Sequence, residues 1–309
     1  MRSLIKKIKS SVLFEYCHYF VYRVYMILWY KLPSVEFVVK RDFKRYHGYE
    51  LNLKNPQTLN EKLCWLIAYD RQRNYSFFAD KFLARDYFAR EFGEEYVIPL
   101  LFETKNVDEI RPENISEFPC IVKANHSSAQ WKIIRDPKDV DWTNLRRKCK
   151  FWIGDNWYNH GKEYQYKFIE RRIIVEKLLQ TKEGKIPNDY KLHFINGEIA
   201  FIYVSVDREG GNYRCIYDKD WNKLPFVWIE SWKYKEGLNN VDVPCPSTLE
   251  KMIEMGTKIA KRFPRYIRVD YYDVDGRLYF GEITFHHGGA HDQFFPKEYD
   301  LIYGKKVTL

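Results

Sequence analysis

The 309-residue sequence contains little glycine and proline, 15 and 12 residues, and it has no repeats or Gly/Ser-rich linkers. Fibrous and disordered chains are therefore excluded. Its six cysteines are scattered without a Cys-x-x-Cys pair, which argues against a zinc site or a disulfide framework and for reduced thiols in the cytoplasm. No long uncharged apolar run is present, because Glu15, His18 and Arg23 interrupt the stretch 12–32. A membrane-spanning helix needs about 20 such residues.

Hydrophobic residues make up 45% of the chain and aromatic residues 18%, enough for a substantial core. The length suits one large domain or two to three small ones. The net charge of +9 is uneven, since residues 1–54 carry 11 Lys and Arg against four Asp and Glu. A basic arm on a nearly neutral body indicates a local contact, and we do not expect nucleic acid binding.

The basic segment has two interpretations. Residues 3–32 have helical character, and this helix could lie on an anionic membrane surface at the inner face of the membrane, with Lys6, Lys7, Lys9 and Arg23 near the headgroups. The alternative, which the sequence favours, is an aromatic-rich helix packed on the body. Aromatic side chains within residues 1–54 could also stack on the sugars of a glycan.

Apolar periodicity predicts an α+β chain that begins with helices and is rich in strands over its last 130 or so residues. Thr58 and Glu61 form a capping-box pattern ahead of a helix. Asn196-Gly197 and Asp275-Gly276 predict two tight hairpins. The predicted helices cover 59–68, 78–92, 142–153 and 249–262, and the predicted strands cover 118–123, 131–134, 172–179, 189–196, 198–206, 266–273 and 278–285.

The last hairpin combines charges that are costly in a sheet interior unless something binds them. Alternation predicts two rows on a shared face: Arg268, Asp270 and Tyr272 on the first strand, and Phe280, Glu282 and Thr284 on the second. Two carboxylates and a hydroxyl suit Mg²⁺, which often bridges substrate phosphates. Arg268 would stabilise a transferring phosphoryl group. The alternative is a buried ion pair between Arg268 and one of the acids.

Two other segments offer polar groups beside apolar strands. Lys123 ends one strand, and the small polar loop after it could cradle phosphate oxygens through backbone N–H groups. A second strand runs into Glu176 and is followed by a strand with Asp189, Lys191 and His193 on one face. This pair of strands would suit an adenine ring and ribose hydroxyls. The alternatives are an ordinary turn and a solvated strand face.

In their order along the chain, these segments resemble the ATP-grasp superfamily, and within it the TupA-like (teichuronopeptide biosynthesis) family. The resemblance covers roughly residues 40–305. The residues that carry it are 55–63, 79–81 with Arg85, 118–126, 175–177, 189–191, 217–221, 268–270 and 281–285.

The resemblance implies an ATP-grasp fold, in which two α+β subdomains grip ATP between antiparallel sheets. A helical N-terminal region would span 1–79, a small subdomain 80–178 and a large subdomain with the metal site 179–309. The implied nucleotide-binding residues are Lys81, Lys123, Asn125, Ser127, Ser128, Glu176, Lys177, Leu178, Asp189, Lys191 and Arg214. The implied metal ligands are Asp270 and Glu282, with Thr284 where the superfamily usually has Asn.

The resemblance also implies a reaction: ATP and Mg²⁺ activate a carboxylate as an acyl phosphate, and an amine then forms an amide. Arg268 and Lys123 would act in phosphoryl transfer. In the turn after the metal strand, His287 or His291 would orient or deprotonate the amine, and the alternative is a surface turn with incidental histidines. The implied partners are a uronic-acid glycan or nucleotide-uronate and an amino acid or small amine, in cell-surface polysaccharide synthesis. A glycosyltransferase or polysaccharide-binding protein is the rival hypothesis, because Asp218-Lys219-Asp220 and Asp273-Val274-Asp275 match an Asp-x-Asp pattern.

Overall fold

The computed structural model describes residues 12–309. Its α-helices are α1 (Val12–Met26), α2 (Val35–His47), α3 (Leu59–Tyr69), α4 (Tyr75–Ala79), α5 (Lys81–Phe92), α6 (Trp142–Gly154), α7 (Tyr158–Gly161), α8 (Leu249–Ala260) and α9 (Glu298–Gly304). Its strands are β1 (Leu100–Thr104), β2 (Cys120–Ala124), β3 (Trp131–Ile134), β4 (Ile173–Lys177), β5 (Asp189–Ile195), β6 (Glu198–Val206), β7 (Tyr213–Tyr217), β8 (Val227–Ile229), β9 (Tyr266–Val274), β10 (Arg277–Thr284) and β11 (Gln293–Phe295).

The first helices follow the sequence signals closely. The predicted helix 3–32 is present as α1 and a π-helical turn, Ile27–Lys31, while residues 3–11 lie outside the described part of the chain. The capping box at α3 is confirmed, since Glu61 N donates to Thr58 Oγ1 at 3.2 Å and Thr58 N donates to Glu61 Oε2 at 3.0 Å. All six cysteines are unpaired, as expected.

The prediction of one continuous helix over 78–92 is wrong. The structure has two helices, α4 and α5, because Asp80 adopts an extended conformation between them. Its side chain accepts a hydrogen bond from Phe82 N at 2.8 Å and so caps α5. This break places Lys81 at the first position of a helix.

The body consists of two main antiparallel sheets. The smaller has the strand order β1-β4-β2-β3, and the larger has the order β10-β9-β5-β6-β7. Helix α6 covers one face of the smaller sheet, where Leu145 and Cys149 pack against Val122 and Val175. The smaller sheet therefore has one face left for other contacts.

The larger sheet is covered unevenly. Helices α5 and α8 pack on one face, where the rings of Phe88 and Phe280 stack with centroids 4.2 Å apart. On the other face, one end contributes Phe201 and Tyr266 to a core shared with α3 and α9. The other end of that face carries Arg268 and faces the smaller sheet across a cleft.

The two predicted hairpins are confirmed, and both use left-handed turn residues. Asn196 and Gly197 have φ of +53° and +81°, and Asp275 and Gly276 have +54° and +88°. This is the conformation that the Asn-Gly and Asp-Gly pairs predict.

A β-bulge at Gly281 corrects one predicted face. Phe280 pairs with Tyr271, whereas Glu282 pairs with Asp270, so the register shifts between them. Phe280 consequently joins the core on the far side of the sheet, and Glu282 turns toward the cleft. A Cβ at position 281 would lie 3.1 Å from the Asp270 carbonyl oxygen, so glycine suits the bulge.

Candidate functional site: a charged cleft between two sheets

The cleft between the two sheets has a volume of about 650 Å³. Lys81 reaches it from the start of α5. The smaller sheet and adjoining loops contribute Ile121, Lys123, Ser127, Ser128, Gln130, Trp131, Ile133, Glu176, Lys177, Leu178 and Leu179. The larger sheet and its loops contribute Asp189, Lys191, Arg208, Glu209, Asn212, Arg214, Arg268, Asp270, Tyr272, Gly281 and Glu282.

Three adjacent strands of the larger sheet form a network of buried ion pairs at the cleft floor. Arg268 Nε donates to Asp270 Oδ1 at 2.6 Å, and Arg268 Nη2 donates to Glu282 Oε1 at 2.6 Å. Lys191 Nζ donates to Asp270 Oδ2 at 2.8 Å from the neighbouring strand. Lys191 and Glu282 both stand opposite Asp270 in register, so the sheet itself brings these side chains together.

The charge balance at the floor keeps Glu282 ionised. Burial disfavours its charged form, but the Lys81 ammonium and the Arg268 guanidinium outweigh burial and hold the pKa of that carboxyl well below its usual range. Lys81 Nζ lies 3.1 Å from Glu282 Oε2. The floor thus holds a carboxylate anion at every physiological pH.

The smaller sheet supplies a second cation to the opposite wall. Lys123 Nζ lies 2.6 Å from Glu176 Oε2, and both side chains are largely buried. The two residues sit on adjacent strands, since β2 pairs with β4. An ammonium held in a cleft by one carboxylate can exchange that partner for a bound anion.

Asn125 anchors the loop after β2 and lies outside the cleft lining. Its Nδ2 donates to Asp80 Oδ1 at 2.8 Å and to Glu170 O at 2.9 Å, and its Oδ1 accepts from Arg172 N. Its carbonyl oxygen accepts from Lys81 N at 3.0 Å. Asn125 therefore connects the loop to the start of α5, and Lys81 Nζ in turn donates to Ser127 O at 2.8 Å.

His287 lies behind Arg268 and also does not line the cleft. Its Nδ1 is 2.9 Å from Arg268 Nη1, and its Nε2 is 3.0 Å from Asp292 Oδ2. A guanidinium can only donate, so Nδ1 is the acceptor and a neutral ring carries its proton on Nε2. Burial lowers the pKa of His287 despite Asp292, which favours this neutral form.

The third predicted residue outside the lining is Thr284. It is buried, and its hydroxyl donates to Glu282 Oε1 at 3.2 Å. This contact ties the hydroxyl to one of the predicted metal ligands.

The other predicted site residues line the cleft together: Lys81, Lys123, Ser127, Ser128, Glu176, Lys177, Leu178, Asp189, Lys191, Arg214, Arg268, Asp270 and Glu282. Asp189 is 4% exposed, and its Oδ1 has no hydrogen-bond partner. The N–H groups of Lys177 and Leu178 donate to the carbonyl oxygens of Pro99 and Pro119. Leu179, which also lines the cleft, is the next residue along this chain segment.

Sequence reasoning missed Arg208, whose Nη1 lies 3.7 Å from Asp189 Oδ2 at the cleft edge. Arg208 follows the end of β6, which pairs with β5 so that Ser205 stands opposite Asp189. The sequence signal for Arg208 is its position just after β6, the strand that pairs with β5, where Asp189 lies. Tyr272 also lines the cleft and was predicted on the correct face, although without a role.

Neither Asp-x-Asp sequence lies in the cleft. Asp218 Oδ1 accepts from the N–H groups of Asp220 and Asn222, and Asp273 Oδ1 accepts from Gly276 N, as turn residues do. In residues 12–309, no cluster of three or more His, Cys, Asp or Glu side chains is arranged to hold a metal ion by itself. Among the helices of that same range, none is long and apolar enough to cross a bilayer.

These two antiparallel sheets and the charged cleft between them match the ATP-grasp fold that the sequence predicts. A family model described as TupA-like ATPgrasp matches residues 61–308, and the chain belongs to this family. The predicted α+β ATP-grasp fold with a helical N-terminal region is thereby confirmed.

Solved structures are similar to the chain at low identity. N5-carboxyaminoimidazole ribonucleotide synthetase (purK) in an ADP complex is 14% identical, with 74% of this chain and 51% of that one covered and a TM-score of 0.42. D-alanine–D-alanine ligase from Bacillus anthracis is 16% identical, with 67% and 56% covered and a TM-score of 0.40. The ATP-grasp ligase PsnB with a minimal precursor is 11% identical, with 72% and 60% covered and a TM-score of 0.40.

The chain thus spans 51% to 60% of the length of these three structures. No curated protein matches the sequence.

Proposed function

We propose that this protein is an ATP-dependent carboxylate–amine ligase that forms an amide through an acyl phosphate. The observation that carries the proposal is the convergence of Lys81 and Lys123 with Asp270 and Glu282 on one cleft. Membership of the ATP-grasp family supports the same reaction class.

The reaction has two steps. A carboxylate oxygen attacks the γ-phosphorus of ATP, the bond to the β-phosphate oxygen breaks, and ADP leaves. The amine nitrogen then attacks the acyl carbon, inorganic phosphate leaves, and the nitrogen gives up a proton. The difficulty lies in bringing an anionic carboxylate to an anionic triphosphate, so catalysis depends on positioning and on positive charge.

The cations of the cleft supply that charge. Lys81 and Lys123 would contact phosphate oxygens from opposite walls, and Arg268 would face the phosphoryl group during transfer. One such electrostatic contact contributes on the order of 10²–10³ in rate. Each ammonium already faces a carboxylate, Glu282 or Glu176, so the positions of these cations are set before nucleotide arrives.

The carboxylates fit Mg²⁺ as a partial ligand set. Asp270 and Glu282 stand opposite each other in register, and Mg²⁺ is commonly held by one or two carboxylates together with substrate phosphates. Asp270 and Glu282 would therefore hold the ion, with the Thr284 hydroxyl adjacent to Glu282. When bound, Mg²⁺ would neutralise phosphate charge and polarise the γ-phosphoryl group.

Asp189, Leu178 and Leu179 suit the nucleoside. Asp189 has a buried oxygen without a partner, which would accept from a ribose hydroxyl. The N–H groups of Lys177 and Leu178 are satisfied within the protein, so we assign the adenine contact to the Leu178 side chain and to Leu179.

For the acceptor, we propose a uronic-acid carboxylate of a cell-surface polysaccharide or its nucleotide-linked precursor, joined to an amino acid or small amine. In the described residues, seven Lys and Arg side chains line the cleft against five Asp and Glu, an excess that suits a polyanionic substrate. Arg214 lines the cleft, and its Nη1 donates to the backbone carbonyl oxygens of Asn212 and Tyr213, which carry no formal charge.

Radiolabelled ATP tests the proposal when it is incubated with Mg²⁺, a uronate and a pool of amines. We expect ADP and phosphate to be released at a substantial rate only when both acceptors are present, together with an amide product. Sugar transfer from a nucleotide sugar without ATP consumption would instead establish the glycosyltransferase hypothesis and overturn ours.

A further inference from the structure

Helix α1 docks on the body through its polar and aromatic face. The rings of Tyr19 and Phe151 stack with centroids 4.0 Å apart, and Arg23 Nη1 donates to the Gly154 carbonyl oxygen at 2.7 Å. At the end of the π-helical turn, Lys162 Nζ donates to the Lys31 carbonyl oxygen at 3.2 Å. These contacts on α6 and α7 fix which side of α1 faces the protein.

The opposite side of α1 is apolar and exposed. Phe20, Val24, Leu28 and Leu32 recur every fourth residue and are 69%, 39%, 56% and 69% exposed; we call them the outer stripe. Residues four apart lie on one face of a helix, so the outer stripe is continuous. A helix that only completes a soluble body has the reverse arrangement, with its apolar side inward.

The sequence that contains the outer stripe is basic and rich in aromatic residues. Residues 1–34 contain six Lys and Arg against a single acidic residue, Glu15, and of these six cations Arg23 and Lys31 lie in the described part of the chain. Lys31 is exposed beside Leu32, and the rings of Tyr25 and Trp29 are also exposed. An exposed apolar face with amphipathic aromatic rings, in a segment with an excess of Lys and Arg, is typical of helices that lie in the interface of an anionic bilayer.

We propose that the outer stripe docks on an anionic lipid surface, with α1 lying in the plane of the membrane. Tyr19 and Arg23 hold the inner side of α1 against the body, so only its outer side is free to meet a bilayer and the helix would lie along the membrane surface. Apolar insertion supplies the affinity, and the excess of positive charge selects anionic headgroups. This inference does not depend on the reaction in the cleft.

Vesicle flotation tests the proposal with the full-length chain. We expect binding to vesicles of phosphatidylcholine and phosphatidylglycerol, weaker binding to phosphatidylcholine alone, and release by high salt. Phe20→Ser with Leu28→Ser should weaken binding by at least about tenfold, because two apolar side chains lose their insertion. Lys31→Glu should weaken it by about fivefold or more, on anionic vesicles only.

The matched control is Leu301→Ser with Ile302→Ser, which removes two exposed apolar side chains from α9 and should leave vesicle binding unchanged. Thermal unfolding and ATP turnover report whether each variant is folded. Absence of wild-type binding, or equal binding by wild type and the α1 variant, would overturn the proposal. So would self-association in the absence of vesicles that the α1 variant abolishes, because the outer stripe would then contact a second copy of the chain.

Discussion

The cleft and the outer stripe depart from ordinary residue partitioning in opposite directions. The cleft holds charged side chains that are largely buried, such as Arg268 and Asp270 at 7% and 2% exposure, whereas α1 turns Phe20 and Leu32 to the outside. Charge in the interior is costly unless it is paired, and apolar surface in water is costly unless it is covered.

This difference indicates two kinds of ligand. In the cleft, Lys81, Lys123 and Lys191 each lie within ion-pair distance of a carboxylate of the protein, so the cost of burying their charges is partly offset and the site is organised before a triphosphate binds. On the outer stripe, the described structure offers no such cover, and the compensation has to come from outside the chain. Substitutions in the cleft, at a buried carboxyl group elsewhere and on the outer stripe should separate these two explanations.

Removing a cleft cation should have the largest effect. Lys123→Ala is expected to lower ATP turnover by about 10²–10³, because the smaller sheet loses its phosphate contact. Steady-state ADP release measures this loss, and thermal unfolding checks the fold. The matched control is Lys132→Ala, which lies opposite Val122 on the adjacent strand, outside the cleft lining, and should retain turnover. Equal ATP turnover by the Lys123 variant and wild type would contradict the placement of the nucleotide site at Lys123.

Asp300 is a buried carboxyl group whose hydrogen-bond partners are neutral, so it should respond to pH differently from Glu282. Asp300 is 9% exposed and accepts from Asn60 N and Nδ2, with the Thr58 side chain as a further neutral partner, and burial raises its pKa to about 6 from 3.8. The folded state then holds a proton that the unfolded state has released, so stability falls as pH rises from about 4 through about 6.

Asp300→Asn should remove this loss. We expect it to unfold with a free energy up to about 3 kcal/mol higher than wild type above pH 6, and similar to wild type near pH 4. Urea unfolding at several pH values measures the difference. If the Asn60 amide turns over, its Oδ1, which is buried without a partner, can accept from the new amide at position 300. A pH-independent difference between the two proteins would contradict the assignment.

Substitution of His287, which positions Arg268, should lower the reaction rate less than substitution of Lys123 does. His287→Ala is expected to lower acyl-phosphate formation and the complete reaction alike, by roughly tenfold or more, because Arg268 loses one hydrogen-bond partner. His287→Gln, which offers an acceptor to Arg268, should recover part of the loss. Single-turnover measurements separate the two steps. A loss confined to the amine step would favour the role predicted from the sequence, as the group that orients or deprotonates the amine.

Substitutions in the outer stripe should have almost no effect on ATP turnover in the cleft. Phe20→Ser with Leu28→Ser should leave ATP turnover with soluble acceptors within about twofold of wild type, since the substituted side chains are exposed and share no partner with the cleft. Combining them with Lys123→Ala should reproduce the Lys123 effect alone. A strong dependence of soluble turnover on α1 would show that the two regions are coupled.

The sequence predicts most of the larger sheet correctly because its turns have specific chemistry. Asn196-Gly197 and Asp275-Gly276 are strong signals for tight hairpins. Once the hairpins fix the strands, alternation predicts that one face of the sheet holds Asp189, Lys191, Arg268 and Asp270.

Other features depend on context that simple periodicity does not contain. The bulge at Gly281 inverts Phe280 relative to Glu282, and strict alternation ignores it, although a lone glycine inside a strand often marks a bulge. Apolar periodicity places Asp80 within a continuous helix, whereas in the structure its side chain caps the start of α5. His287 lies behind Arg268 because of how the turn after β10 folds back, and spacing along the chain does not report that geometry.

A crystal structure with a non-hydrolysable ATP analogue and Mg²⁺ tests the central claim most directly. The account predicts phosphate oxygens within hydrogen-bond distance of both Lys81 Nζ and Lys123 Nζ, the ion on Asp270 and Glu282, and the ribose beside Asp189. A nucleotide bound elsewhere, or a triphosphate in this cleft that contacts neither lysine, would contradict it.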